Sequence, residues 1–143
     1  MAIARMEQRM ETAHDRSRLI LGDEGLAKLQ DAAVMVLGLG GVGSACTETL
    51  ARGGVGSLIL VDRDVVTPSN INRQSLAFQS TVGEPKTEVM ARMVADINPA
   101  CKVTALHAFI DKDRVSEQLG ALPRPDYVVD AIDTIAQKLA IAA

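Results

Sequence analysis

The chain has no tryptophan, one tyrosine and two phenylalanines among 143 residues. Aromatic platforms for stacking single-stranded bases are therefore scarce, and the core has to be built from aliphatic side chains and methionine. Positive charge is not in excess: the formal net charge is −3 and the pI is near 5.3, which argues against an electrostatic nucleic-acid binder. Any contact with RNA has to rest on other grounds. Only two cysteines are present, Cys46 and Cys101, far apart and without CxxC spacing, so neither a zinc knuckle nor a disulfide framework is indicated. No apolar run approaches the roughly 20 residues that span a bilayer. The first ten residues carry Arg5, Glu7 and Arg9 instead of the apolar centre of a signal peptide. The expectation is a cytoplasmic protein of one domain.

Residues 32–62 organise the rest. The apolar run AAVMVL leads into Gly38-Leu39-Gly40-Gly41-Val42-Gly43, a small-residue helix follows, and the second apolar run, LILVD, closes on Asp62, nineteen residues after Gly43. This is the pattern of a strand, glycine turn, helix and strand that binds nucleotides. Gly38 is expected to make the tight turn, Gly40 to let backbone N–H groups approach a phosphate, and Gly43 to let the helix pack close to the strand. The helix N-terminus then faces an anion, and Asp62 is placed for ribose hydroxyls. Glycines that serve packing alone are the alternative.

Before this unit, Ile3, Met6, Met10 and Ala13 recur at helical spacing, and Asp23-Glu24 starts a short helix with Leu26 and Leu29 on its apolar side. Residues 1–31 are read as an N-terminal helical segment and 32–143 as the nucleotide-binding domain. After Asp62 no period holds from 63 to 82, a long connection for an α/β unit and so a candidate functional loop. A helix opening at Pro85 is expected to run to Ile97, with Val89, Met93, Val94 and Ile97 on one face. A strand over 102–108, a short polar helix capped by Asp111, and a fourth strand over 127–132 follow. Alternating strands and helices predict a Rossmann-like, doubly wound parallel sheet in the order 3-2-1-4. A last helix begins near Asp133 or Thr134 without a terminator before Ala143, so the sheet is expected to be incomplete at the C-terminus, with the fourth strand at an apolar edge.

Among residues able to do chemistry, Lys86 sits in the first turn of its helix, where the dipole disfavours a cation unless an anion is bound. An ordinary solvated lysine is the alternative. Arg73, between Asn72 and Gln74, offers a fork for phosphate oxygens. Asp130 and Asp133 lie at the carboxyl end of the fourth strand, where carboxylates suit Mg²⁺, although Asp133 equally suits a helix cap.

GLGGVG, LILVDRD, NINRQ, VGEPK and VVDAID, in this order, resemble the ThiF/MoeB adenylation domain shared with ubiquitin-activating enzymes. Within that family the stretches RSRLILGDEGLAKL, KTEVMARMVADINPACKV and DAIDTIAQKLA are most similar to the tRNA threonylcarbamoyladenosine dehydratases. The resemblance covers the chain from about Arg16 onward. It implies ATP as nucleotide, phosphates on the glycine turn (Gly38, Gly40, Gly41 and Gly43), ribose on Asp62, the triphosphate on Asn72, Arg73 and Lys86, and further ATP-site residues in Asp64 and Asn70. It further implies Mg²⁺ on Asp130 and a homodimer in which Arg16 reaches the neighbouring subunit's site, making Arg16, Arg73 and Lys86 the catalytic set. The implied substrate is a tRNA. A sulfur-carrier protein is the alternative acceptor, and a nucleotide-binding fragment without turnover is a further reading. The glycine unit alone also fits an NAD oxidoreductase, against which stand the cations of NINRQ and VGEPK.

Overall fold

The computed structural model describes residues 11–111, 113–134, 139 and 141. Helix α1 (Asp15–Asp31) precedes β1 (Ala33–Leu37), α2 (Gly41–Gly53), β2 (Ser57–Asp62), α3 (Lys86–Ile97), β3 (Lys102–His107), α4 (Val115–Gly120) and β4 (Tyr127–Asp130). All four strands are parallel, in the order β3-β2-β1-β4. The α/β doubly wound arrangement read from the sequence is therefore the one observed. Chain direction across the sheet reverses at β1, which lies between β2 and β4, and a crevice opens at the carboxyl ends beside it, where such sheets bind ligands.

The apolar runs of β1 and β2 lack polar alternation because both of their faces are covered. On one face Val34, Val36, Leu58 and Leu60 meet Ala51 of α2 and Val89, Met90 and Val94 of α3. On the other, Met35, Leu37, Ile59 and Val61 meet Ile110, with Leu106, Val115 and Leu119 packed around them. Each such side chain contributes on the order of 1.5–3 kcal/mol when removed from water. The buried face of α3 centres on Met90, while Met93 and Ile97 pack at its margin.

Three local features differ from the expectation. The helix expected to start at Asp23 begins earlier, since α1 runs from Asp15 and is interrupted at Gly22, whose φ of 68° and ψ of 177° leave the helical region. Only glycine takes such angles cheaply, and the interruption falls just ahead of Asp23, where the second helix was expected to start. Pro85 caps α3 from outside, with extended ψ, instead of occupying its first turn. The aperiodic stretch 63–82 contains two 3₁₀ turns, Pro68–Asn70 and Gln79–Thr81, and a Val65–Pro85 bridge ties its start to the residue before α3.

β4 forms an edge of the sheet, and Tyr127 and Val128 on it are exposed. The helix expected over Ile3, Met6 and Met10 lies outside the described residues. So does most of the last helix, of which Leu139 and Ile141 are described, both helical, with Ile141 packed against the Met35–Leu37 face. Among the described residues no helix is long and apolar enough to cross a membrane.

Candidate functional site

The glycine turn joins β1 to α2. Gly38 has a φ of 89°, and its N–H donates to the Val61 carbonyl at 2.8 Å. At Gly43 an added Cβ would lie 1.8 Å from the Gly38 carbonyl oxygen, so its absence lets the first turn of α2 sit against the end of β1. Gly40 and Gly41 are different. A Cβ at Gly41 would meet Arg73 at 3.5 Å, ordinary contact, and one at Gly40 would come no nearer than 4.0 Å to Gln74. The space above these two belongs to a cleft. α2 starts there with neither a side-chain cap nor an acidic residue in its first turn, which leaves the positive end of its dipole for an outside anion.

Asp62 ends β2 and braces this turn. Its Oδ2 accepts the Leu39 N–H and its Oδ1 the Asp64 N–H, each at 2.6 Å. Each oxygen keeps a further lone pair, so the expected acceptor role toward ribose is compatible with the brace. Asp64 in turn holds Lys86. The Lys86 N–H donates to the Asp64 carbonyl at 3.0 Å, and Lys86 Nζ lies 3.3 Å from Asp64 Oδ2. With Lys86 only 5% exposed, the solvated alternative does not describe it: a buried ammonium in the first turn of α3 faces the cleft with one carboxylate partner.

The 3₁₀ turn at Pro68–Asn70 supplies the opposite wall. Buried Asn70 accepts the Thr67 N–H through Oδ1 at 3.0 Å and so fixes the turn. Arg73 Nη1 donates to the Ser69 carbonyl at 2.8 Å and to Asn72 Oδ1 at 2.9 Å. These bonds hold an exposed guanidinium, while the Arg73 stem lies beside Gly41 and the residue lines the cleft.

The cleft enclosed by these elements has a volume of about 440 Å³. Of the residues expected from sequence, Gly38, Gly40, Gly41, Asp62, Asp64, Asn70, Arg73 and Lys86 line it, as does Asp133. Gly43 lies beneath the turn, and Asn72 stands behind Arg73 as its hydrogen-bond partner. Asp130 ends β4, where its Oδ1 accepts the Ile132 N–H at 3.1 Å. Arg16 is exposed on α1 and does not line the cleft. Among the described residues no three His, Cys, Asp or Glu side chains converge as a metal-binding group. Burial pushes the Cys101 thiol up, against a smaller lowering by its Leu58 backbone hydrogen bond. It is a packed apolar residue, not a nucleophile.

Among the polar and aromatic lining residues, Gln74, Arg63 and Phe109 were not assigned a role from sequence. Gln74 is 6% exposed, with an Oε1 that has no hydrogen-bond partner among the described residues, and Arg63 sits over the ring of Phe109 with its Cζ 4.9 Å from the centroid. Gln74 stands next to Arg73 in NINRQ, which was a usable signal. Nothing in the sequence joins Arg63 to Phe109.

Residues 14–143 match the ThiF family model. The chain is 48% identical over 126 residues to the tRNA threonylcarbamoyladenosine dehydratase of Bacillus subtilis, covering 87% of this chain and 48% of that protein. It is 41% identical over 112 residues to the molybdopterin-synthase adenylyltransferase of Salmonella typhimurium, covering 78% of this chain and 44% of that one. The crystal structure of E. coli tRNA N6-threonylcarbamoyladenosine dehydratase, TcdA, in complex with ATP matches with a TM-score of 0.83 at 40% identity, over 88% of this chain and 51% of that chain. The chain thus spans about half the length of the relatives it matches. On a match that runs from residue 14 to residue 143 over this glycine turn and this sheet, the chain belongs to the ThiF family.

Proposed function

We propose that the chain is the ATP-binding half of an adenylating enzyme whose carboxylate substrate is the threonylcarbamoyl group on a tRNA adenosine. The observation that carries this reading is the meeting, in one cleft, of the uncapped N-terminus of α2, the Arg73 guanidinium and the buried Lys86 ammonium. Three positive groups so placed suit a triphosphate and exceed what a dinucleotide needs. The similarity to the Bacillus subtilis dehydratase and to the ATP complex of the E. coli enzyme supports the substrate and the nucleotide.

In the adenylation step a carboxylate oxygen of the substrate attacks the α-phosphorus of ATP. The bond from that phosphorus to the bridging oxygen of the β-phosphate breaks, and pyrophosphate leaves. Negative charge builds on the phosphoryl and bridging oxygens, and fixed cations stabilise it without having to reorganise. Arg73, locked by Ser69 and Asn72, and Lys86, locked by Asp64, are such cations. No protein nucleophile is needed. The resulting acyl adenylate closes into a ring and releases AMP, so the nucleoside loses the elements of water overall. Mg²⁺ neutralises phosphate charge when bound, and Asp133, which lines the cleft, and Asp130 are the carboxylates that would hold it. One or two carboxylates with phosphate oxygens and water suffice for that ion.

A second reading has the C-terminal glycine of a sulfur-carrier protein as the carboxylate, favoured by the similarity to the Salmonella adenylyltransferase. The same nucleotide half serves both. A homodimer is part of the proposal: Arg16 stands exposed on α1, away from its own cleft, and reaches the neighbouring subunit's ATP. ATP–pyrophosphate exchange should be accelerated by threonylcarbamoylated tRNA and not by a carrier protein. In that assay a mixture of Arg16→Ala and Lys86→Ala chains should recover exchange that neither has alone. Exchange stimulated only by the carrier would replace the tRNA reading, and a mixture no better than its parts would refute the action of Arg16 across the interface.

A further inference from the structure

Arg63 and Phe109 have no part in the phosphate chemistry just described, yet both line the cleft. Their place follows from the strand order. Along the carboxyl edge of the sheet, β1 ends in the glycine turn, β2 in Asp62, and β3 runs into Ala108, Phe109 and Ile110. A nucleotide with its phosphates on the glycine turn and its ribose on Asp62 has its base end toward β3. The β3 part of that wall, Ala108, Phe109 and Ile110, has no charged side chain, which suits an uncharged planar group.

The main chain of this wall is pinned from behind. Gln118 Nε2 donates to the Phe109 carbonyl and Gln118 Oε1 accepts the Asp111 N–H, both at 2.9 Å, while Ile110 is buried in the core. Phe109 is 48% exposed, open to the cleft that it lines. Arg63 covers its ring. The Arg63 guanidinium carbon lies 4.9 Å from the ring centroid, within the range of a cation–π contact, and its Nε lies 3.6 Å from Asp64 Oδ1. Asp64 is the carboxylate that holds Lys86. Arg63 therefore links the ring on the β3 side to the group that sets the phosphate cation.

We propose that Arg63 is a positioning residue for the nucleotide: by holding the Phe109 ring it fixes the wall against which the base lies. This rests on the nucleotide reading above. The contact is exposed, so its loss is a matter of a few-fold. Arg63→Ala should weaken ATP binding about two- to five-fold, the range expected of an exposed cation–π pair. Arg63→Lys, which keeps a cation over the ring, should restore most of it. In a Phe109→Leu background, Arg63→Ala should have little further effect.

The experiment is isothermal titration with ATP of the parent chain, Arg63→Ala, Arg63→Lys, Phe109→Leu and the double variant, each with a thermal melt. Non-additive losses with matched melting temperatures and rescue by lysine are the expected result. Additive losses, or an Arg63→Ala affinity equal to the parent's, would overturn this inference alone. A general loss of fold would show as a lowered melting temperature without rescue by lysine, and that too would overturn it. A parent chain that binds no ATP would overturn the nucleotide reading together with it.

Discussion

Lys86→Met is expected to weaken Mg-ATP binding by about 1.5–3 kcal/mol, roughly ten- to 150-fold, with the fold intact. The size follows from where the ammonium sits. At 5% exposure Lys86 has little water to fall back on, and its one ion-pair partner, Asp64, has a side chain that is 55% exposed. A phosphate arriving in the cleft adds charge-assisted hydrogen bonds to a cation already held in place. Methionine keeps most of the stem's volume, and solvent takes over the abandoned Asp64 carboxylate, so the cost to stability is that of a partly exposed ion pair, within about 1 kcal/mol. Arg73→Ala should weaken ATP to a similar extent, because the side chain whose guanidinium bonds Ser69 and Asn72 lines the cleft beside Gly41. Calorimetric titration checks both. Parent-like affinity in correctly folded variants would contradict the triphosphate assignment.

Gly43→Ala is expected to cost the fold itself about 3 kcal/mol or more, at or above the upper end of ordinary overpacking. The new methyl would stand 1.8 Å from the Gly38 carbonyl oxygen, a backbone atom of the turn, and Gly38 is tied to β2 through its hydrogen bond to Val61. Neither side has a flexible end to give way. For a domain with a net stability of ~5–15 kcal/mol, that is a large share. Gly41→Ala is the control, since its methyl would meet only Arg73 at ordinary distance. It should melt like the parent while binding ATP more weakly. Denaturant unfolding of the two variants decides: equal midpoints would mean that Gly43 is not the close contact described.

The sheet was legible in the sequence because its signal is local. VMVL and LILV are apolar on both faces, and the run GLGGVG between them marks the turn. The strand order followed from that unit. Stretch 63–82 was not legible, because 3₁₀ turns carry no long period and their stabilising bonds, such as Thr67 N–H to Asn70 Oδ1, look in sequence like any polar loop. Lys86 was singled out for its awkward place at a helix start, but its burial depends on Asp64, twenty-two residues away, and on the Val65–Pro85 bridge. The Arg63–Phe109 pair was invisible for the same reason: only the adjacency of β2 and β3 brings those residues together. Of the two carboxylates at the end of β4, Asp133 lines the cleft, and Asp130, the last residue of the strand, accepts the Ile132 N–H.

The central claim is that this cleft is built for a triphosphate. It is tested most directly by titrating the chain, under identical conditions, with Mg-ATP and with NAD. Arg73, Lys86 and the uncapped start of α2 predict that Mg-ATP binds more tightly, and that the margin shrinks when Lys86 is replaced by methionine. NAD binding as tight as Mg-ATP, or a margin untouched by Lys86→Met, would contradict it.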